Sequence, residues 1–442
     1  MRSLLPLLAF FVGTSAAAQN GYLTNAFFPR YWKANTARTI SVRVRNSAST
    51  AMFSFHVDWR WNNGPVQTGD WVATTGITGN QYWPLDHQIP FNQPAGSGTL
   101  KVWVSAPGDT DASNDTLRFP VDVLGNWTEK TVLLEQYTGT WCQFCPNPNA
   151  TTNTLDADPY IVVAKHHNND ALTNASSTAY WVQFDADYSP SGVMEQEEFG
   201  TLQDDAAYDL WSARAEERKQ GVSPAVVSIN AGFNAWTRLL TVDMATTFTA
   251  ALTGNYVINA YVVEDDVPGE QTAAPSGYIH QQVVRELLGG ASGTGGVIPS
   301  TTTAGGTYPH QYTLTVPEQW NSNNLRIVAT VTEVRNGTTF TVNATDAPIA
   351  TVGMEEVLSP VIAVFPNPAY TDPQVMLRDA GSPVEWRVLT ADGRVVAQQR
   401  TAGVSVVLVD GFAALAPGLY VLQVEQNGMR SEHRLVRTSE FR

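Results

Sequence analysis

Cysteine is scarce in this chain: 442 residues hold two, Cys142 and Cys145. A small scaffold stapled by many disulfides is thereby excluded. Basic residues are also short, 26 against 41 acidic, for a formal charge of −15. A nucleic-acid partner is not expected, because phosphates would be repelled. No segment reaches the ~18 uninterrupted apolar residues of a membrane-spanning helix. Neither GxSxG nor HExxH occurs. The Gly-rich "GGASGTGG" (residues 289–296) lacks the strand-to-helix setting and the lysine of a phosphate loop. "PGDTDASND" (residues 107–115) has calcium-like carboxylate spacing but not the full twelve-residue pattern, and it reads as a turn. No metal and no cofactor are expected.

What is present is enough for packed cores: 43% hydrophobic and 15% charged residues over a length suited to about three domains. The start, "MRSLLPLLAFFVGTSAAAQN", has a short positive region at Arg2, an apolar stretch from Leu4 to Val12 and small residues at Ala16, Ala17 and Ala18. This order predicts an export signal over residues 1–18. No cysteine follows the expected cut to carry a lipid. Exported chains meet oxidising surroundings, where disulfides persist.

Period-two alternation in "ISVRVRN" (40–46), "MFSFHVDWRWN" (52–62) and "GTLKVWVSAP" (98–107) predicts an immunoglobulin-like antiparallel sandwich over residues 21–124. From residue 127 the pattern changes. "TVLLEQY" (131–137) and "YIVVAKHH" (160–167) read as buried strands, with the cysteines and a helix between them. Leu202, Ala206, Leu210 and Ala213 lie on one face of a helix expected over 201–219. Alternation returns over 222–350, predicting a second β-sandwich fused to residues 127–221. Turns at Asp392-Gly393, Pro417-Gly418 and Asn427-Gly428 mark a separate small sandwich over 354–442.

The pair in "QYTGTWCQFCPNPNA" (136–150) is a poor staple. A four-residue loop constrains the unfolded chain by about 2 kcal/mol, against about 4.7 for a ~100-residue loop. Chemistry is the better reading. The strand–CxxC–helix–strand order is a thioredoxin-like signal, in which a helix N-terminus stabilises a thiolate. Cys142, the more exposed member, would attack a disulfide, and Cys145 would resolve the mixed intermediate. Trp141 would shield the site. Glu135 is a candidate proton acceptor for Cys145, or a strand-end carboxylate held in hydrogen bonds. His166 and His167 do not have the spacing of a zinc module. Pro146 and Pro148 would delay or break the helix.

Two resemblances extend this reading. "LLEQYTGTWCQFCP" (133–146), "SPSGVM" (189–194) and "GYIHQQVVRELLGG" (277–290) together resemble the outer-membrane-protein-28 family, thioredoxin-like surface proteins of Bacteroidota. The resemblance implies a cis-proline beside the cysteines. Pro190 is preferred over Pro224 because it carries the family's Ser-Gly sequel. "PNP" (366–368), "DGR" (392–394) and "LAPGLYVLQV" (415–424) resemble the type A sorting domain of the type IX secretion system. That resemblance implies delivery to the outer surface or medium, with the secretion machinery as partner of residues 354–442.

The expected architecture is therefore multidomain, α/β plus all-β. The expected function is thiol–disulfide exchange with extracellular protein thiols or disulfides through Cys142 and Cys145. The alternative is a non-catalytic surface protein with an inert disulfide, whose sandwiches bind glycans or proteins. In that reading Trp59, Trp61, Trp71 and Trp83 are the sugar-stacking candidates.

Overall fold

The structure is a computed structural model and describes residues 19–24, 27–79, 81–109, 111–186, 188–197, 208–351 and 360–439. The expected export signal, Leu202 and Ala206 of the expected helix, and the start of the expected sorting domain lie outside the described residues. The fold is mostly β, in several sheets. The chain divides into two compact units, Met1–Ala231 with Thr241–Ile349, and Gly232–Leu240 with Ala350–Arg442.

The first unit opens with two sheets around one core. Strands Gly21–Thr24, Ser41–Asn46 and Tyr82–Asp86 form a three-stranded sheet. Tyr31–Lys33, Thr116–Leu124, Gly96–Ser105, Met52–Trp61 and Gln67–Ile77 form, in that order, a five-stranded one. Val42, Val44, Phe55, Val57, Trp59, Leu100, Val102 and Val121 pack between them. Alternation set this arrangement: Val42 and Val44 point inward while Arg43 and Arg45 do not.

A mixed eight-stranded sheet follows. Its order is Ser191–Met194, Val132–Thr138, Ile161–His167, Val283–Leu287, Tyr256–Glu264, Leu325–Arg335 and Thr338–Pro348, with the short Thr294–Gly295 beside Tyr256–Glu264. Val132–Thr138 runs parallel to Ile161–His167 and antiparallel to Ser191–Met194. Both faces are covered. Leu134, Val163 and Met194 pack with Leu155 of helix α1 (Pro146–Leu155) and with Trp211 and Ala215 of helix α3 (Trp211–Lys219). Leu133, Tyr137, Val162 and Ala164 pack on the other face against Tyr180 of helix α2 (Ala175–Gln183) and Phe184. Burial on both faces explains why these strands read as continuous apolar runs.

This sheet corrects the expected division at residue 222. Strands assigned to a separate second sandwich instead continue the cysteine-bearing sheet. The strand ending at His167 would otherwise leave an open edge, and Val283–Leu287 fills it. Residues 225–231, 241–248 and 307–315 do form a sheet of their own. The expected helix over 201–219 is described from Tyr208, as a 3-10 turn (Tyr208–Leu210) and then α3.

In the second unit a three-stranded sheet (Val361–Phe365, Gln374–Leu377, Val406–Leu408) and a four-stranded one (Val384–Thr390, Val395–Thr401, Gly418–Gln426, Met429–Arg437) enclose Trp386, Val388, Phe412, Leu422 and Leu435.

Candidate functional site

Cys142 and Cys145 are joined by a disulfide just before α1, with Cys145 as the N-cap residue. The helix is intact despite Pro146 and Pro148. Proline is tolerated in the first turn, where its missing N–H has no intrahelical partner. The same residues cost the site two backbone donors that would otherwise face a thiolate. The helix dipole remains. Backbone bonds run from Cys142 N to Gly139 O (3.0 Å) and from Asn149 N to Cys145 O (3.0 Å), fixing the loop as a turn into the helix.

Both sulfurs are covered. Cys142 is 3% exposed and Cys145 0%, so the more exposed member is Cys142 but only narrowly. Its neighbours Trp141 (46%), Gln143 and Phe144 (66%) are exposed. Trp141 Nε1 donates to the Asn168 carbonyl at 2.7 Å. A side chain on Gly139 would collide with the Trp141 indole.

A hairpin made by Val267–Gly269 and Tyr278–His280 is bonded to the cysteine loop. From it the Gln271 amide donates to Cys142 O (2.9 Å), and to Gly139 O and Thr140 O at 3.4 Å each. Thr272 N donates to Thr140 O at 2.8 Å. Asn149 of α1 donates to the Tyr278 hydroxyl at 2.9 Å. Sequence reasoning gave Gln271 no role. The connection between the two strands, residues 270–277, has no hydrophobic period, and only its position in the fold brings Gln271 to the cysteine loop.

Strand parity separates Glu135 from the helix side. The Glu135 carboxylate accepts from Tyr261 Oη at 3.1 Å and lies 3.4 Å from His166 Nε2, on the α2 face. Its contacts are not with Cys145. Burial first, then the Glu135 charge, pushes the phenols of Tyr137 and Tyr261 well up. Gln136, one residue on, faces α1 instead. Its amide donates to Asn149 Oδ1 at 2.7 Å and its carbonyl accepts from Thr152 Oγ1 at 2.9 Å. Two residues on from Leu134, which packs with Leu155 of α1, it shares that residue's face of the strand.

His166 and His167 also face opposite sides. His166 meets Ser177 Oγ at 3.0 Å. His167 Nδ1 meets Asp170 Oδ2 at 2.7 Å, and the same oxygen accepts from Thr140 N at 2.8 Å. Burial alone would raise the Asp170 carboxyl, but His167 and the Thr140 and Leu172 amides hold it below its usual value. The His167 ring meets His280 edge-on at 5.3 Å. Burial first, and then His167, pushes His280 down to about 4. Among the described residues, no group of three or more His, Cys, Asp or Glu side chains is arranged to hold a metal ion.

The Ser189–Pro190 peptide bond is cis. Ser191 is in register with Tyr137, so Pro190 lies at the Thr138 end of that strand, where the cysteine loop departs. Gly192 is opposite Gln136 and lies under the Trp211 indole. Of the tryptophans expected to stack sugars, Trp59 is buried and Trp61, Trp71 and Trp83 pack against the N-terminal core.

The family model for outer membrane protein Omp28 matches residues 177–347. That span holds Pro190, Gly192, Gln271 and His280, and begins after the cysteines. No curated protein matches the chain. Among solved structures, HBP35 of Porphyromonas gingivalis aligns at 18% identity and TM-score 0.45, over 70% of this chain and 99% of that one. A protein of Agrobacterium tumefaciens aligns at 13% identity and TM-score 0.33, over 52% and 99%. No described helix is long and apolar enough to cross a membrane.

Proposed function

We propose that this is a cell-surface or secreted protein that exchanges thiols and disulfides with extracellular proteins through Cys142 and Cys145, on a thioredoxin-like core. The observation that carries the reading is the position of the disulfide. It lies between a fully buried strand and the helix that follows, with a parallel strand on one side and the Pro190-led antiparallel strand on the other. The name of the matched family supports a surface location. Export by type IX secretion through residues 354–442 is part of the proposal and rests on the motifs quoted above.

In the bridged state a partner thiolate attacks one sulfur of the pair, and the other leaves as a thiolate. A second partner thiolate attacks the mixed disulfide, so the partner gains a disulfide and Cys142 and Cys145 gain two electrons and, after protonation, two protons. The dithiol form runs the same steps in reverse. The helix dipole favours whichever sulfur carries charge.

The cover over Cys142 favours a second reading, an inert bridge in a binding protein. Insulin reduction by dithiothreitol separates the two. Acceleration by the wild-type chain, absent in Cys142→Ser, supports exchange. Equal rates with and without the protein would leave the inert bridge.

A further inference from the structure

The outer face of the N-terminal five-stranded sheet carries a row of three cations. Arg60 is opposite Lys101, and Lys101 is opposite Arg118. Trp59, Leu100 and Val102 point into the core, so the alternate positions Arg60 and Lys101 point out, and Arg118 is exposed. Like charges directly opposite on neighbouring strands destabilise a sheet. Burial, and then Arg118 and Arg60, pushes the Lys101 ammonium down.

The usual reasons for such charges do not apply. Lysine on an edge strand blocks edge-to-edge pairing, but these three strands are the interior ones of the sheet. Among the described residues none of the three cations is in an ion pair, and Arg60 Nε is buried with no hydrogen-bond partner. Asp58, in the adjacent row, has a buried oxygen that is also unpartnered rather than paired to them. That row is Asp58, Trp103 and Thr116, with Trp103 at its centre and its ring 4.6 Å from the Lys101 ammonium.

We propose that this face binds an acidic polysaccharide. Carboxylates or sulfates would lie along Arg60, Lys101 and Arg118, which repeat at the strand spacing of about 4.8 Å. A sugar face would lie on Trp103. The net charge of −15 does not forbid this. Charges more than about 8 Å away are largely screened at physiological salt, so a bound anion answers to its neighbours. A row of only three cations is short for a duplex phosphate track.

The test uses the full chain on immobilised polygalacturonate, with neutral dextran and poly-L-glutamate as controls, at physiological and high salt. Wild type should bind polygalacturonate at physiological salt, lose it at high salt and ignore dextran. Combined Arg60→Gln, Lys101→Gln and Arg118→Gln should weaken binding about tenfold. The melting temperature should be unchanged or raised, because repulsion is removed. Trp103→Ala should weaken binding to polygalacturonate and not to poly-L-glutamate. Undetectable binding by wild type, or full binding by the triple variant, overturns the proposal. Tight binding to poly-L-glutamate with the same dependence on Trp103 overturns it in favour of an acidic peptide.

Discussion

Gln136 and Asn149 are joined side chain to side chain at 2.7 Å, a neutral pair between the strand and the helix capped by Cys145. Thr152 closes the set at 2.9 Å, and both Gln136 and Thr152 are fully buried. Gln136→Leu keeps the volume but strips both partners of a bond. An unsatisfied buried polar group costs about 1–3 kcal/mol. Thermal unfolding of this variant should therefore fall by several degrees, while Glu135→Gln, which keeps the Tyr261 contact, should change it less. Identical curves for Gln136→Leu and wild type would show that the pair adds nothing.

The Gln271 amide is the clasp on the cysteine loop, and its 2.9 Å bond to the Cys142 carbonyl is the shortest of its three. With Cys142 only 3% exposed, a reductant has to wait for the loop to open. One neutral hydrogen bond contributes about 1 kcal/mol net, so Gln271→Ala should open the loop roughly fivefold more often. Alkylation and mass measurement of the freed thiols at intervals after adding dithiothreitol reads this directly. Reduction of Gln271→Ala at the wild-type rate would mean that the hairpin does not limit access.

His280 ties that hairpin to acid. Its ring donates towards the Glu270 carbonyl at 3.2 Å, and burial beside His167 holds its folded value at about 4 against an ordinary 6.5. Between these values the unfolded chain carries a proton that the folded chain lacks. The contribution is intact above about pH 6.5 and is lost as pH falls towards about 4. Melting temperature measured across that window should drop on acidification, and His280→Gln, which retains an N–H donor, should drop less. Parallel wild-type and His280→Gln profiles would assign the acid sensitivity to other groups.

Much of this was legible because local pattern and tertiary position agree. Inward Val42, Val44 and Phe55 announce a sandwich, and a buried strand before Cys142 announces the turn into α1. Where burial is two-sided, the pattern stops reporting faces. Every residue of Val132–Thr138 is buried, so hydrophobicity alone does not distinguish the Glu135 side from the Gln136 side. The sheet's continuation into Val283–Leu287 and Tyr256–Glu264 was hidden for a related reason. Strand pairing at long range is set by which edge is open, and a sequence does not display that. The tryptophans misled because Trp59 and its neighbours fill the core, while the outward Trp103 sits in an ordinary alternating strand.

Gly192 offers a check on the Pro190-led strand that needs no assay of exchange. It is paired with Gln136, and a methyl group on it would come within 2.6 Å of the Trp211 ring, a fully buried side chain. The indole is fixed by Leu134, Leu155 and Met194, so it has little room to retreat. Overpacking of this kind costs about 1–3 kcal/mol. Gly192→Ala should lower the denaturant midpoint without changing the slope, and Trp211→Phe should restore part of the loss by vacating ring volume. If Gly192→Ala unfolds at the wild-type midpoint, the strand does not press on α3 as closely as this packing requires.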